Sequence, residues 1–248
     1  MEWSDEGMVV GLRRHGEASV ILETLTRNHG RHLGLVRDGR SRRQAATLQP
    51  GNRVALRWRA RLDEQLGTFT VEPARLRPEL TLGDAATIEA LNWLCALLRL
   101  LPERDPHADL YAAVEIAADH LADRRSARAL IARIELATLE ALGFGLDLTC
   151  CAATGATQEL AYVSRKSGRA VSAQAGAPWA ERLLALPAFL RGDGIEPRPE
   201  DIEAGLRLTG FFLERNVFTP RGLPEPAARA AFLARAVVSN HPQGQVGT

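Results

Sequence analysis

Lysine is almost missing from this chain: Lys166 is the one lysine among 31 basic residues. A bias toward arginine this complete, beside abundant Ala and Leu, reflects genome composition more than mechanism. The placement of the arginines is therefore informative, and their identity is not. Cysteine is scarce too, with Cys95, Cys150 and Cys151 making three, two of them adjacent. That count supplies no disulfide framework, and a reducing cytoplasm is the expected compartment. Aromatic residues make up only 5%, which leaves few rings for stacking on bases. No apolar run approaches the roughly 20 residues that span a bilayer, and the opening MEWSDEGMVV lacks the segments of a signal peptide, so no membrane partner is expected. The six histidines show no metal-ligand spacing, and no glycine sits in a phosphate-loop or dinucleotide pattern. Neither a bound nucleotide nor any other cofactor is expected.

What is present is an apolar fraction of 46% over 248 residues, enough for one large domain or two to three small ones in a soluble globular protein. The formal charge of +1 hides an asymmetry. Residues 1–77 carry 14 arginines against 9 acids, whereas residues 78–248 carry 17 basic against 21 acidic residues. The excess is densest from Arg27 to Arg61, where ten arginines face a single acid, Asp38. A local excess of that size fits a polyanionic partner.

The same region reads as β structure. Five short runs, MVVGLRR, SVILETLT, RHLGLV, RVALRWRAR and GTFTVEPARL, are broken by turn signals and predict a small barrel. In the fourth, Val54, Leu56, Trp58 and Ala60 alternate with Ala55, Arg57, Arg59 and Arg61, which sends the first set inward and three arginines outward. In the fifth, Phe69 and Val71 point inward.

After residue 77 the period changes. Asp84 is placed to cap a helix running to about Leu101, with Ile88, Leu91, Cys95 and Leu98 on one stripe. A second helix over 108–121 buries Leu110, Val114, Ala117 and Leu121. A third, capped by Ser126 and stopped by Gly143, turns Leu130, Ile134 and Ala137 inward. Residues 144–177 are rich in turns, with LAYVS and GRAVS flanking RKSG as a hairpin. Helices resume over 178–186, 199–214 and 224–237, before a flexible tail at 239–248. The expected organisation is thus a barrel (1–77), a helical domain in two parts (78–143 and 178–238) and an insertion (144–177).

Phosphate contacts by arginine give a salt-sensitive, sequence-independent affinity for nucleic acid. Arg37, Arg40, Arg42 and Arg43 around the DGRS turn are the first candidates, because a flexible loop can track a bent or single-stranded backbone. Arg57 and Arg59 come second, Arg27 and Arg31 third. Trp58 and Phe69 belong to the core by alternation, so only Trp3, His29 and His32 remain as possible base stackers. Binding dominated by phosphate contacts, tolerant of duplex and single strands, is the expectation.

The run GLRRHGEASVILETLTRNHGR from Gly11, followed by GRSRR from Gly39 and LQPG from Leu48, resembles the opening of the bacterial recombination mediator family RecO. So do LGFGLDL from Leu142, CAATG from Cys151 and AYVSRKSGRAVS from Ala161, in that order. The resemblance implies an α+β fold: a five-stranded OB-fold barrel, then an α-helical domain with a small zinc-finger-like insertion. It implies recombinational repair without bond chemistry: binding single- and double-stranded DNA, annealing complementary strands, and acting with RecR to load RecA onto DNA coated by single-stranded-DNA-binding protein. A cytoplasmic, nucleoid-associated location follows. The acidic, Phe-terminated tail of single-stranded-DNA-binding protein would need an apolar pocket rimmed by arginine, for which Arg128, Arg133, Arg207 and Arg215 are candidates by helical spacing. In zinc-holding members two Cys-x-x-Cys pairs flank the hairpin, and alignment puts those four positions at Cys151, Thr154, Ser172 and Ala175. One ligand of four cannot make a structural zinc site, so the insertion is expected to be metal-free and held by Leu160, Tyr162, Val163 and Val171. Two other classes remain open: a metal-dependent nuclease, which would need clustered carboxylates where the acids here are scattered, and a helical adaptor with an incidentally basic barrel.

Overall fold

The first strand, β1 (Glu2–His15), serves two neighbours. Its first half pairs antiparallel with β4 (Arg53–Arg59), from Glu2 opposite Arg59 to Met8 opposite Arg53. Its second half pairs with β2 (Ser19–Thr26), across a register shift between Val9 and Gly11 that lets the strand bend. β2 pairs with β3 (Gly30–Val36), and β5 (Thr68–Arg75) pairs with β4. A single parallel match, Leu35 beside Thr68, closes the barrel in the order β1-β2-β3-β5-β4. This is the five-stranded OB arrangement, and its interior holds Val9, Val20, Leu22, Val54, Leu56, Trp58, Phe69 and Val71. The alternation expected for the fourth run holds residue by residue: Val54, Leu56 and Trp58 are buried, while Arg57 and Arg59 are exposed.

Residues Gly7–Val10 are buried without alternation, because both faces of β1 are covered there. Val9 faces the barrel interior, whereas Met8 and Val10 join the core of the helical part. Around that core run α2 (Pro78–Leu82), α3 (Ala85–Leu98), α4 (Ala108–His120) and α5 (Arg124–Ala141). The helix α3 is buried almost all round, through Ala90, Leu91, Trp93, Leu94, Cys95, Leu97 and Leu98, as befits the central helix of an all-helical core. Asp84 caps it as expected, accepting from the Thr87 N–H. Two details differ from the sequence reading: α2 was not foreseen, and α5 is capped by Asp123, which accepts from the Ser126 N–H, one turn before the expected cap. On α5, Ala127, Ile131, Ile134 and Thr138 are buried, whereas Leu130 and Ala137, like Ile88 on α3, are only half-buried.

The insertion forms a hairpin of β6 (Leu160–Ser164) and β7 (Ala170–Ser172), then the short α6 (Ala173–Gly176). The helix expected over 178–186 is instead a 3-10 turn (Ala177–Arg182) and a third strand, β8 (Leu183–Ala185), paired with β6. Leu160 and Val163 are buried in the same core as the helices, and Tyr162 and Val171 are half-buried. The fold ends with α7 (Pro199–Leu213), which passes into a wider π-type turn at Glu214–Phe218, and α8 (Ala227–Val238). This computed structural model describes residues 1–192 and 196–238, and side chains as far as residue 234; the tail read at 239–248 lies outside the described residues. Among them no helix is long and apolar enough to cross a membrane.

Barrel and helices are joined by buried arginine. The Arg77 guanidinium, 1% exposed, donates to Asp119 and Glu115 on α4 and to the Gly51 carbonyl, each at 2.7 Å. On the opposite flank Arg31 pairs with Glu23 and donates to the Leu101 carbonyl at 2.8 Å, and Arg99 pairs with the same Glu23.

Candidate nucleic-acid interface

The arginines of the 27–61 stretch do not form one surface. Arg37, Arg40, Arg42 and Arg43 are all exposed at the end of β3. The turn between them is ordered rather than a flexible loop. Asp38 takes a positive φ of 54°, Gly39 is buried against Val20 and Leu48, and Ser41 caps a one-turn helix, α1 (Arg42–Ala45). A side chain at Gly39 would come within 2.5 Å of Val20, which explains the glycine there. The Arg40 N–H donates to the Ala18 carbonyl and its guanidinium to the Glu17 carbonyl, so the arginine turn rests on the β1–β2 hairpin. That hairpin adds Arg13 and Arg14, both exposed, which the sequence reading passed over. The signal was visible as the Arg-Arg pair preceding His15, but its neighbour across the turn, Arg40, is far away in the chain. Among the described residues none of these six arginines makes an ion pair.

Arg57 and Arg59 project from β4 at the other end of β1, opposite Ser4 and Glu2. They are 67% and 80% exposed and lie 3.7 and 4.0 Å from the Glu2 carboxylate, an arrangement worth little in water. Arg27 is exposed in the β2–β3 turn, its N–H on the Glu6 carbonyl, and so belongs with this second group. Arg31 is drawn inward by Glu23, 15% exposed. A partly buried, paired guanidinium that ties the barrel to the helices is poorly placed to take a phosphate.

Of the possible stackers, Trp3 is half-buried and lies between His29, at 4.0 Å and 8° from parallel, and Trp58, at 5.6 Å and 17°. His32 is enclosed beneath them, 2% exposed, with neither ring nitrogen hydrogen-bonded. Burial, reinforced by the nearby charges of Arg104 and His29, lowers its pKa to about 4, so it is neutral at physiological pH.

The four arginines proposed for a protein partner separate likewise. Arg128 and Arg207 rim one cavity of about 590 Å³, together with Arg124 and Arg125, over a floor that includes Ala90, Leu121, Ile202 and Phe232. Arg128 pairs with Glu203 on α7 and lies 5.4 Å over the Phe232 ring. Arg133 and Arg215 are elsewhere. The first donates to the Phe189 carbonyl at 3.1 Å and covers that ring, and the second clamps the hairpin turn through the carbonyls of Arg165 and Lys166.

At the four insertion positions, Cys151 is buried and its sulfur accepts from the Ser172 N–H at 3.2 Å. The nearby side chains of Ser172 and Thr154, that of Ser172 first, and the Ser172 N–H draw the thiol down to about 6. Ser172 and Thr154 present hydroxyls rather than thiolates at two of the other positions, and Ala175 offers no donor atom. The residues do not fit a zinc ion, and among the described residues no group of three or more His, Cys, Asp or Glu could hold a metal.

Known proteins agree with the architecture. Residues 1–77 match the family described as recombination protein O N terminal, and residues 82–223 the one described as recombination protein O C terminal. A protein of Methylocella silvestris named DNA repair protein RecO is 59% identical over 236 residues, covering 94% of this chain and 95% of its own. Proteins of the same name from Mesorhizobium japonicum and Chelativorans are each 57% identical, covering 94% and 99% of this chain and 93% and 99% of their own. With both halves matched and relatives this similar along nearly the whole length, the chain belongs to the RecO family of DNA repair and recombination proteins.

Proposed function

We propose that this protein is a non-enzymatic recombination mediator that holds DNA on its barrel, residues 1–77, and protein partners on its helical part, residues 78–238. The observation that carries the DNA reading is the group of Arg13, Arg14, Arg37, Arg40, Arg42 and Arg43. Six exposed cations collected at one end of a barrel, without carboxylate partners among the described residues, attract a polyanion whatever its sequence. In this reading the protein binds single and double strands, anneals complementary ones, and with RecR loads RecA onto strands coated by single-stranded-DNA-binding protein, working in the cytoplasm at the nucleoid. The arginine-rimmed cavity between α3, α5, α7 and α8 supports a second contact, with the acidic, Phe-terminated tail of single-stranded-DNA-binding protein. An apolar floor takes the terminal ring, and Arg124, Arg125, Arg128 and Arg207 meet the carboxylates.

The test is annealing of complementary oligonucleotides by purified protein without nucleotide or Mg²⁺. Accelerated annealing is expected. Mg²⁺-dependent degradation of the strands would replace this reading with a nuclease, and failure to retain DNA at physiological salt would replace it with an adaptor.

A further inference from the structure

Strand alternation assigns Trp58 to the barrel core and leaves Trp3 and His29 as possible stackers, and the three form a continuous stack that reaches solvent. Trp3 and Trp58 face each other across the β1–β4 ladder, with ring centres 5.6 Å apart. His29 lies flat on the other face of Trp3 at 4.0 Å. Its Nδ1 is held by the Asp5 carboxylate at 2.9 Å, and the same carboxylate accepts from the N–H and side-chain amide of Asn28. One face of the imidazole is on Trp3 and one edge is bonded, while 32% of the side chain remains exposed. The turn that carries it cannot shift freely. Its His29 N–H is bonded to the Thr26 hydroxyl, and Gly30, at φ +64°, lies so close to Asp105 that a Cβ would come within 2.2 Å of its backbone.

A second observation points the same way. His32 presses edge-on against Trp3 at 5.0 Å and Trp58 at 5.1 Å, with Phe69 at 5.9 Å. Both its ring nitrogens are buried without a hydrogen-bond partner among the described residues. An imidazole packed edge-on among three aromatic rings supports the stack from beneath.

We propose that the outer face of His29 is a base-stacking platform for single-stranded nucleic acid, extending the His29–Trp3–Trp58 stack by one nucleobase, with Arg27 of the same turn placed for the neighbouring phosphate. The proposal rests on the DNA reading above and sharpens it. Stacking needs an unpaired base, so this site selects single strands, whereas the six-arginine group at the far end of β1 does not discriminate. The local charge supports a stacking site over an electrostatic one. Glu2 and Glu6 are on the same edge as Arg53, Arg57 and Arg59, so little net positive charge remains there, and the platform contributes affinity that salt does not screen.

The experiment is binding of an oligothymidylate and of an abasic strand of equal length, each across a range of salt, to the wild type, His29→Ala and His29→Phe. The expected result is that His29→Ala loses about tenfold in affinity for the oligothymidylate, the worth of one stacked base. Its affinity for the abasic strand and its salt slope stay unchanged, and His29→Phe restores the preference. Equal affinity of the wild type for the two strands, or equal losses on both for His29→Ala, would overturn the platform and leave the arginine reading standing. Retention of neither strand by the wild type would remove both.

Discussion

In the barrel, Arg40, Arg42, Arg43, Arg57 and Arg59 stand in water, the last two only loosely paired with one carboxylate. In the helical part Arg229 is enclosed, 6% exposed, against a Glu135 that is wholly buried. Glu135 accepts from the Trp93 indole at 2.8 Å, from the Thr209 hydroxyl and from Arg229 at 2.9 Å, while Arg229 also reaches Glu225 and the Leu206 carbonyl. The same side chain is thus free to meet an external anion in one region and fully engaged with internal ones in the other. The difference separates binding from folding: removal of an exposed arginine changes what the protein holds, and removal of an enclosed one changes whether α8 stays docked.

The sharpest way to break that comparison is Arg229→Ala, which leaves the Glu135 charge buried and unpaired. A loss of about 3–5 kcal/mol is expected, measured by urea unfolding followed through Trp93, the ring against which Arg229 rests. The double change Arg229→Met with Glu135→Gln removes both charges yet keeps an acceptor for Trp93 and Thr209, and should recover at least half of the loss. No recovery would mean that Arg229 acts through packing alone.

The barrel interior makes the opposite choice, holding His32 neutral instead of pairing it. Above pH 6.5 the residue is uncharged in both states and contributes no pH dependence. As pH falls below that value the unfolded chain takes up a proton that the folded barrel resists until about pH 4. Stability therefore declines across that window, by about 3 kcal/mol in all. His32→Phe should abolish this component of the slope, and the same slope in both proteins would show that His32 is not its source. On the surface, Arg40→Glu, Arg42→Glu and Arg43→Glu together should leave stability within about 0.5 kcal/mol. The slope of log affinity for single strands against log salt should fall by about two. An unchanged slope would remove this turn from the interface.

The exposed arginines were legible because strand alternation needs only neighbours: one period of two places Trp58 inward and Arg57 and Arg59 outward. The internal ones were not, because their partners are distant in sequence. Arg77 meets Glu115, Arg31 meets Glu103 as well as Glu23 on the neighbouring strand, and Arg229 meets a glutamate 94 residues earlier, so sequence spacing alone does not separate a structural arginine from a binding one. The same limit explains β8, whose three residues read as helix until the pairing with β6 is known. It explains the His29–Trp3 stack as well, which only the curl of β1 over the β2–β3 turn brings together.

Helical spacing proposed four arginines for a protein partner, and the geometry divides them. Arg207 and Arg128 rim the cavity, but Arg128 is already paired with Glu203, so a carboxylate arriving there must compete. Arg207 is exposed on α7, free of that competition. With an acidic, Phe-terminated peptide as probe, Arg207→Ala should weaken binding several-fold, about 1 kcal/mol, and Glu203→Gln should strengthen it by releasing Arg128. Arg133→Ala and Arg215→Ala should leave the peptide unaffected, since both side chains are spent on carbonyls of their own chain. Fluorescence anisotropy of the labelled peptide decides the matter: equal weakening by all three arginine changes would mean that only long-range charge draws the tail, and that the cavity does not hold it.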